Sequence, residues 1–164
     1  MVAPGSHRKT ARVLLIDEQH RILLLLTHFD PDVKLPPRWI TPGGGIDEGE
    51  STIDAAVREL FEETGIQVSA PILGESVWET SGRWLWGDGR NFHDFTDTFF
   101  LHRINQTFEL DRSNWTADEH RDVLDYRWWS PEDFFAPQQY LIGPPGLAQF
   151  YLDHLYPKLL PQSR

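Results

Sequence analysis

The chain has 164 residues, of which 40% are hydrophobic, and its formal net charge is −10. This length suits one domain with a sizeable core, and the absence of cysteine excludes disulfides and thiolate-bound zinc. The acidic balance weighs against a general binder of nucleic-acid backbones, so we expect a small-molecule substrate instead. No N-terminal apolar segment resembles a signal peptide, and no apolar run is long enough to span a bilayer. We therefore expect a cytoplasmic protein that does not contact a membrane.

The N-terminal region predicts a flexible tail followed by strands. We expect residues 1–9 to form the tail and residues 10–164 to form a single domain. Thr10–Ile16 and Arg21–Thr27 are β-prone apolar runs separated by a polar turn, which predicts a hairpin. Their near-continuous leucines indicate strands that are buried on both faces of a covered sheet. Trp39–Thr41 predicts a further short strand that leads into a glycine-rich segment.

A helix with one apolar and one acidic face is predicted between Ser51 and Gly65. Ser51 is suited to cap its N-terminus, and Gly65 is suited to the left-handed conformation that follows the last turn. The apolar residues repeat at helical spacing and form the buried stripe, namely Ile53, Val57, Leu60 and Phe61. The opposite face then carries Glu59, Glu62 and Glu63 at spacings of three and four.

Three carboxylates on one helix face indicate a binding site for a cation. Like charges at these spacings weaken an isolated helix by roughly a few tenths of a kcal/mol per pair. Clustered carboxylate oxygens suit hard divalent ions such as Mg²⁺ or Mn²⁺. The alternative is a solvated acidic face, which is the usual meaning of a run of charges. The sequence thus predicts a metal site on this helix.

Strands and short helices alternate in the rest of the chain. Ile66–Thr80 predicts one or two strands, and Phe95–Ile104 and Tyr126–Trp129 predict one each. Ser130-Pro131 begins a short helix, with serine as the cap and proline at the first helical position. Leu147–Leu155 predicts a terminal helix. The order of strands, helix, strands and helices indicates an α/β fold with a mixed sheet covered on both faces.

Residues 44–66 resemble the Nudix box, which is the signature of the Nudix hydrolases. The match has no departure and comprises Gly44, Glu50, Arg58, Glu59, Leu60, Glu62, Glu63, Gly65 and Ile66. The resemblance implies an α/β/α sandwich with a mixed β-sheet. It also implies Mg²⁺- or Mn²⁺-dependent hydrolysis of a pyrophosphate bond in a nucleoside diphosphate linked to another group, such as an intact or modified nucleoside triphosphate. The alternative is a non-catalytic Nudix domain that binds a nucleotide as a sensor or regulator.

The resemblance assigns roles to the acidic face. Glu59 and Glu63 would be the principal metal ligands, and Glu62 would be a further ligand or a catalytic base that acts through water. The carbonyl of Gly44 would also coordinate a metal. The glycines beside it let the backbone turn sharply and approach a ligand without a Cβ in the way.

Arg58 is predicted to support this site rather than to take part in catalysis. It lies four residues before Glu62 and can reach back to Glu50 in the preceding loop. We interpret the contact with Glu50 as an ion pair that orients the loop and the helix, because metal ligands need such support. The alternative is a simple surface ion pair, which contributes under about 1 kcal/mol.

One more catalytic acid is expected outside the box. Nudix hydrolases often place it in a loop before a late strand, and the segment Thr116–Asp122 occupies that position. Glu119 is our first candidate, with Asp118 and Asp122 as rivals. A solvated loop acid is the alternative.

The segment Glu79–Asp94 is the candidate substrate-binding loop. Aromatic side chains stack on bases and arginines pair with phosphates, so the candidates are Trp84, Trp86, Arg83 and Arg90. The alternatives are a long hairpin tip or a contact between two subunits of a homodimer. Arg38 could help to neutralise phosphate, although a single basic residue in a loop is usually just solvated.

Overall fold

The structure is a computed structural model that describes residues 2–162. Residue 1 of the expected tail and residues 163–164 of the expected domain lie outside it. The described residues form seven strands, which are β1 (His7–Ile16), β2 (Ile22–Thr27), β3 (Arg38–Ile40), β4 (Gly43–Gly45), β5 (Trp78–Leu85), β6 (Phe92–Arg103) and β7 (Val123–Trp129). The α-helices of this region are α1 (Thr52–Thr64), α2 (Ala70–Leu73), α3 (Ala117–Asp122), α4 (Pro131–Phe135), α5 (Leu147–Phe150) and α6 (Tyr156–Leu159), with a π-helical segment, Tyr151–Leu155, between the last two.

All of these strands belong to one mixed sheet with β1 near its centre. β1 pairs in parallel with β6 over its full length, and β5 and β6 form an antiparallel hairpin. β4 also pairs with β1, whereas β3 and β7 both pair with β2. β1 and β2 pair through Ile16 and Ile22. The predicted hairpin is therefore confirmed at its closed end, while its two strands diverge into different parts of the sheet.

Helices cover both faces of the sheet. Val13 and Leu15 of β1 lie in a buried cluster with Leu60 of α1. Leu14 lies in a second buried cluster with Tyr151 near the C-terminus. Successive side chains of a strand point to opposite faces, so β1 contributes to both clusters. The architecture is the α/β fold that the sequence predicts, with a mixed sheet between helical layers.

Helix α1 begins and ends as the sequence predicts. The Ser51 side chain accepts a hydrogen bond from the backbone N–H of Asp54 and caps the N-terminus. Gly65 follows the last turn with φ of 80°, and its N–H donates to the Phe61 carbonyl at 2.8 Å. Leu60 is fully buried against the sheet. The helix is thus anchored by its apolar side, and its acidic side faces away from this core.

Two boundaries differ from the sequence-based predictions. β1 begins at His7, so residues 7–9 are not part of a tail: their backbone pairs with β6. Ala70–Leu73 is a helix, although the sequence predicts a strand there. Pro71 explains this difference, because proline fits the first turn of a helix and cannot donate to a strand ladder.

Residues 2–162 contain no helix that is both long and apolar enough to cross a membrane.

Candidate active site

A cleft of about 740 Å³ brings together segments that are distant in the sequence. Its lining includes Arg12 of β1, Gly43 of β4, Glu63 of α1 and Glu119 of α3. Trp84 of β5 contributes to the lining as well. The parallel pairing of β1 with β6 and the packing of α1 against β1 and β4 position these residues around one cavity.

Three carboxylates converge beside this cleft. Glu59 and Glu62 come from α1 and Glu119 comes from α3, and one carboxylate oxygen of each lies within 4.8 Å of the others. Negative charges at such distances repel one another and disfavour ionisation unless a cation lies among them. The structure therefore brings together two acids of the box and the predicted extra acid.

Glu63 is buried and its charge is poorly solvated. Its side chain accepts a 2.7 Å hydrogen bond from the backbone N–H of Gly43. Burial raises the pKa of Glu63 well above its usual value, and the charge of Glu59 adds to this increase. Burial also raises the pKa of Glu59, while a hydrogen bond from Arg58 opposes the rise. Both carboxylates are costly to keep charged in the absence of a cation.

Arg58 connects the loop, the helix and two of the clustered acids. Its Nε and Nη2 atoms donate to the two carboxylate oxygens of Glu50 at 2.8 and 2.9 Å. Its Nη1 donates to Glu59 at 2.9 Å and to Glu62 at 3.3 Å, and Nη2 also donates to the Gly45 carbonyl at 3.0 Å. The hydrogen bonds from Arg58 lower the pKa of Glu50 to about 2. The predicted contact between Arg58 and Glu50 is therefore present in the structure.

Glycine is required at two positions of β4. Gly43 has φ of 143°, and a Cβ there would lie 2.6 Å from the Cα of Arg12. A Cβ on Gly44 would lie 2.7 Å from the Cδ of Glu59 and closer still to its Oε1. The absence of a side chain therefore lets β4 approach β1 at Gly43 and the Glu59 carboxylate of α1 at Gly44.

Glu119 combines a structural contact with its place in the cluster. It accepts a hydrogen bond from the backbone N–H of Thr116, whose side chain in turn accepts from the N–H of Glu119. This capping box fixes the start of α3. Asp118 and Asp122 both pair with Arg121. Of the three acids proposed from the sequence, Glu119 is the one within the cluster.

Two arginines contribute basic groups to the same cleft. Arg12 is 8% exposed, and its Nη1 donates to the Thr41 carbonyl at 3.0 Å. Its Nε has no hydrogen-bond partner among the described residues, and Asp97 Oδ1 lies 3.8 Å from it. Arg8 is exposed and lines the cleft. Desolvation by the surrounding protein lowers the pKa of Arg8, and the positive charge of Arg12 lowers it further. The cleft therefore presents guanidinium donors that are not saturated by protein acceptors.

An aromatic platform with an arginine forms another part of the lining. The guanidinium of Arg38 lies over Trp84, with its Cζ 4.0 Å from the ring centroid, and 5.2 Å from that of Phe29. Phe95 stacks on Trp84 with 5.3 Å between centroids. Within residues 2–162, no carboxylate lies within ion-pairing distance of Arg38. Arg38 thus has a partner in Trp84 that the sequence does not reveal, because the contact depends on how β3 and β5 are placed.

The other three residues proposed for the substrate loop do not line this cleft. Trp86 is buried, and its indole N–H donates to His93 Nδ1 at 2.9 Å. Arg83 forms an ion pair with Asp94 at 2.7 Å, and Arg90 lies in the turn between β5 and β6. The segment is therefore a hairpin, which was one of the predicted alternatives, and of the four candidates only Trp84 lines the cleft.

The fold thus places clustered carboxylates beside a cleft that arginines line, an arrangement suited to the hydrolysis of phosphate anhydrides. A family model of the NUDIX domain matches residues 6–151 of this chain. The chain belongs to the Nudix family.

Individual relatives agree with this assignment. The RNA pyrophosphohydrolase of Bartonella henselae is 36% identical over 169 residues, which cover 96% of this chain and 90% of that protein. Among solved structures, the MutT protein from Methanosarcina mazei matches with a TM-score of 0.66 at 17% identity, covering 96% of this chain and 97% of the other. The dihydroneopterin triphosphate pyrophosphohydrolase of E. coli matches with a TM-score of 0.60 at 19% identity, covering 92% and 98%. The protein is a Nudix pyrophosphohydrolase.

Proposed function

We propose that this protein uses Mg²⁺ or Mn²⁺ to hydrolyse a pyrophosphate bond in a nucleoside triphosphate or another nucleoside diphosphate derivative. One observation carries the proposal. The carboxylates of Glu59, Glu62 and Glu119 converge to within 4.8 Å of one another, beside a cleft that Arg8 and Arg12 line. Acids that hold a cation and arginines that hold phosphate are the two parts that hydrolysis of a phosphate anhydride requires.

The donor set fits a hard divalent cation. The cluster consists of carboxylates and contains no histidine, a composition that suits Mg²⁺ or Mn²⁺ better than zinc or copper. Burial raises the pKa values of Glu59 and Glu63, because their charged forms lose contact with water. A bound cation would stabilise these charged forms in place of water. We propose Glu59 and Glu63 as principal ligands, with Glu62 and the Gly44 carbonyl as further ligands. Glu63 lies outside the cluster of Glu59, Glu62 and Glu119 and accepts a hydrogen bond from Gly43, so its role rests on the resemblance to the Nudix box and on its burial.

The chain's own residues would prepare the reacting groups. A bound divalent cation offsets the charge of the phosphate oxygens and makes water more acidic. Glu119 is proposed to accept the proton of the attacking water, with Glu62 as the alternative acceptor. Arg58 holds Glu59 and Glu62 through hydrogen bonds of 2.9 and 3.3 Å and so limits their motion.

The substrate would be held at its two ends by different chemistry. The free Nε of Arg12 and the guanidinium of Arg8 are suited to phosphate oxygens, because charge-assisted hydrogen bonds to phosphate are strong. The guanidinium of Arg38 lies 4.0 Å over the Trp84 ring in the lining of the cleft, and we propose that this pair contacts the nucleobase. Hydrolysis is favoured over the alternative of a nucleotide sensor by the activity named for the Bartonella relative.

A second candidate substrate is the triphosphorylated 5′ end of an RNA. The name of the Bartonella relative favours it, whereas the net charge of −10 favours a small nucleotide. The two arguments are compatible, because they concern different parts of an RNA. The relative's name concerns the triphosphorylated end, of which only the phosphates and the first bases need to enter the cleft, whereas the net charge concerns the long backbone. The acidic surface opposes extended contact with the backbone but not entry of this end.

A substrate panel tests the proposal. Nucleoside triphosphates, nucleotide sugars, dinucleotides, coenzymes and a 5′-triphosphorylated oligonucleotide are incubated with Mg²⁺, with Mn²⁺ and with a chelator, and the products are identified. We expect hydrolysis of at least one compound with metal and none with the chelator. Glu59→Gln and Glu63→Gln should abolish most of this activity, whereas Glu75→Gln, an exposed matched change, should not. Unchanged Mg²⁺ affinity and full turnover in both site variants would contradict the metal assignment.

We further propose that the protein acts in the cytoplasm, in keeping with its lack of cysteine.

A further inference from the structure

Strand β5 lies at the edge of the sheet and is largely exposed. It pairs with β6 on one side and ends the strand order on the other. Five of its eight residues are exposed. The large apolar residues Val77, just before this strand, and Leu85, its last residue, are 45% and 70% exposed. An edge of this length is a ready template for pairing with another strand.

The register with β6 decides which backbone groups of β5 point outward. The N–H of Trp86 donates to the Asn91 carbonyl at 2.9 Å, and Leu85 stands opposite Phe92. Hydrogen-bonded and non-hydrogen-bonded pairs alternate along an antiparallel ladder. The even-numbered residues of β5 therefore bond to β6, and Glu79, Ser81 and Arg83 present their N–H and C=O groups to the free edge.

The sequence of this edge is complementary to itself about Ser81. If a second β5 runs antiparallel with Ser81 opposite the partner's Ser81, then Glu79 stands opposite the partner's Arg83, and the reverse pair follows from the two-fold axis. Arg83 already donates to Asp94 through its Nε and Nη2, which leaves its Nη1 for the facing carboxylate. Val77 takes no part in this pairing, because it precedes β5 and its N–H donates to the Phe99 carbonyl of β6 at 2.8 Å. Opposite charges that face each other directly across two strands are stabilising. In this register the outward-pointing N–H of Ser81 can donate to the C=O of the partner's Ser81, and the reverse hydrogen bond forms by symmetry.

Other two-fold registers lose these pairs. An axis at Glu79 or at Arg83 places like charges opposite each other, which is destabilising. An axis one residue before Ser81 places Glu79 opposite the partner's Ser81, and an axis one residue after it places Glu79 opposite the partner's Leu85. Ser81 is thus the centre at which facing charges and backbone hydrogen bonds agree.

We infer that two copies of this chain associate through their β5 edges, with the two-fold axis at Ser81. The two sheets then join into one continuous sheet across the axis. Trp84, which lines the cleft, stands opposite the partner's Trp78 in this register. Dimerisation would therefore cover the outer side of the strand that carries one wall of the cleft. Because a single strand pair buries a small interface, the association should be weak and depend on concentration.

Proline at the centre of the edge tests the backbone contact. Ser81→Pro removes an N–H that points away from β6, so the hairpin itself keeps its hydrogen bonds. We expect the wild-type mass in sedimentation analysis to rise from one chain towards two between roughly 1 and 500 µM, and the Ser81→Pro mass to stay at one. Ser81→Ala is the matched control, because it removes the hydroxyl that contacts Thr96 at 2.8 Å but keeps the N–H. It should dimerise like the wild type.

Charge reversal tests the register of the proposed dimer independently. It also tests the dimer itself if the Ser81→Pro variant does not fold. Glu79→Arg places two arginines opposite each other, Arg83→Glu places two glutamates opposite each other, and each variant alone should dimerise at least about tenfold more weakly. An equimolar mixture should recover the dimer, since every facing pair is then opposite in charge. Glu109→Arg, an exposed change away from β5, should have no effect. A wild type that stays monomeric at all concentrations, or a dimer that none of these β5 variants alters, would overturn the inference.

Discussion

Gly44 lies directly against the carboxylate of Glu59. A Cβ on Gly44 would lie 2.7 Å from the Cδ of Glu59, a separation at which one of the two must shift. The neighbouring Gly45 has open space where its Cβ would be. The glycine segment thus contains one position that limits the placement of an acid and one that does not.

Gly44→Ala should therefore lower activity without unfolding the protein. The added methyl group displaces the Glu59 carboxylate, and a displacement of about 1 Å in a reacting group can cost about a hundredfold in rate. Steady-state kinetics on the best substrate give the size of the loss, and thermal unfolding reports on the fold. Gly45→Ala is the matched control and should stay close to the wild type. Equal activity in the two variants would contradict the steric argument.

Glu63→Gln should stabilise the metal-free protein at neutral and alkaline pH. A carboxyl with a raised pKa in the folded state favours folding below its unfolded pKa, near 4.5, and this contribution is lost as the pH rises through the folded value. Glutamine carries no charge at any pH and can still accept the Gly43 N–H. In a chelator, the unfolding temperature of the variant should exceed that of the wild type by more at about pH 8 than at about pH 5. Mg²⁺ should reverse the order by stabilising the wild type alone, and the absence of any pH dependence in the difference would be evidence against a buried charge.

Glu119→Gln should lower kcat more than it raises KM. A base acts in the transition state, so its loss affects turnover rather than binding. Glutamine still accepts the Thr116 N–H, so the capping box of α3 is kept and the comparison isolates the charge. Asp118→Asn is the control on the same turn, since Asp118 pairs with Arg121 and lies outside the cluster. A normal Glu119→Gln enzyme beside an impaired Asp122→Asn enzyme would transfer the role to Asp122.

Trp84→Ala and Arg38→Met should both weaken substrate binding. Arg38 and Trp84 lie together in the lining of the cleft, and stacking on one base contributes about 1–3 kcal/mol, so KM should rise about ten- to a hundredfold. Arg90→Ala, in the turn outside the cleft, is the control and should change neither constant. Trp86→Ala removes a buried ring and should reduce stability instead. An unaltered KM in both the Trp84→Ala and the Arg38→Met variants would contradict the proposed contact between these residues and the nucleobase.

Local sequence signals account for most of the acidic helix. Ser51 and Gly65 mark the ends of α1 because capping depends on a few neighbouring residues. The contact of Arg58 with Glu50 was also predictable, since Glu50 immediately precedes the N-cap of α1 and Arg58 lies in the middle of that helix. Glu119 was the first candidate from sequence, but Asp118 and Asp122 stayed as rivals, because the position of each acid depends on how α3 packs beside α1.

Long-range contacts explain what the sequence did not reveal. The unsatisfied Nε of Arg12 depends on where Thr41 and Asp97 lie, and these residues come from different parts of the chain. The residues around Arg38 in the sequence do not distinguish it from a solvated surface arginine. Its contact with Trp84 depends on the fold, which brings β3 and β5 to the same cleft. The prediction that Trp86 contacts substrate relied on residue type alone, whereas its burial against His93 is set by the hairpin register.

The parallel ladder between β1 and β6 also governs when the site can form. His7 pairs with Asp94 and Ile16 pairs with Arg103, so this ladder closes a chain loop that contains the whole of α1. Such distant pairing makes folding slow, because the loop-closure entropy must be overcome before native contacts compensate for it. During synthesis on the ribosome, every acid of the box emerges before the strand that completes its surroundings. A nascent chain that ends before β6 carries the full signature in its sequence but has no assembled cleft.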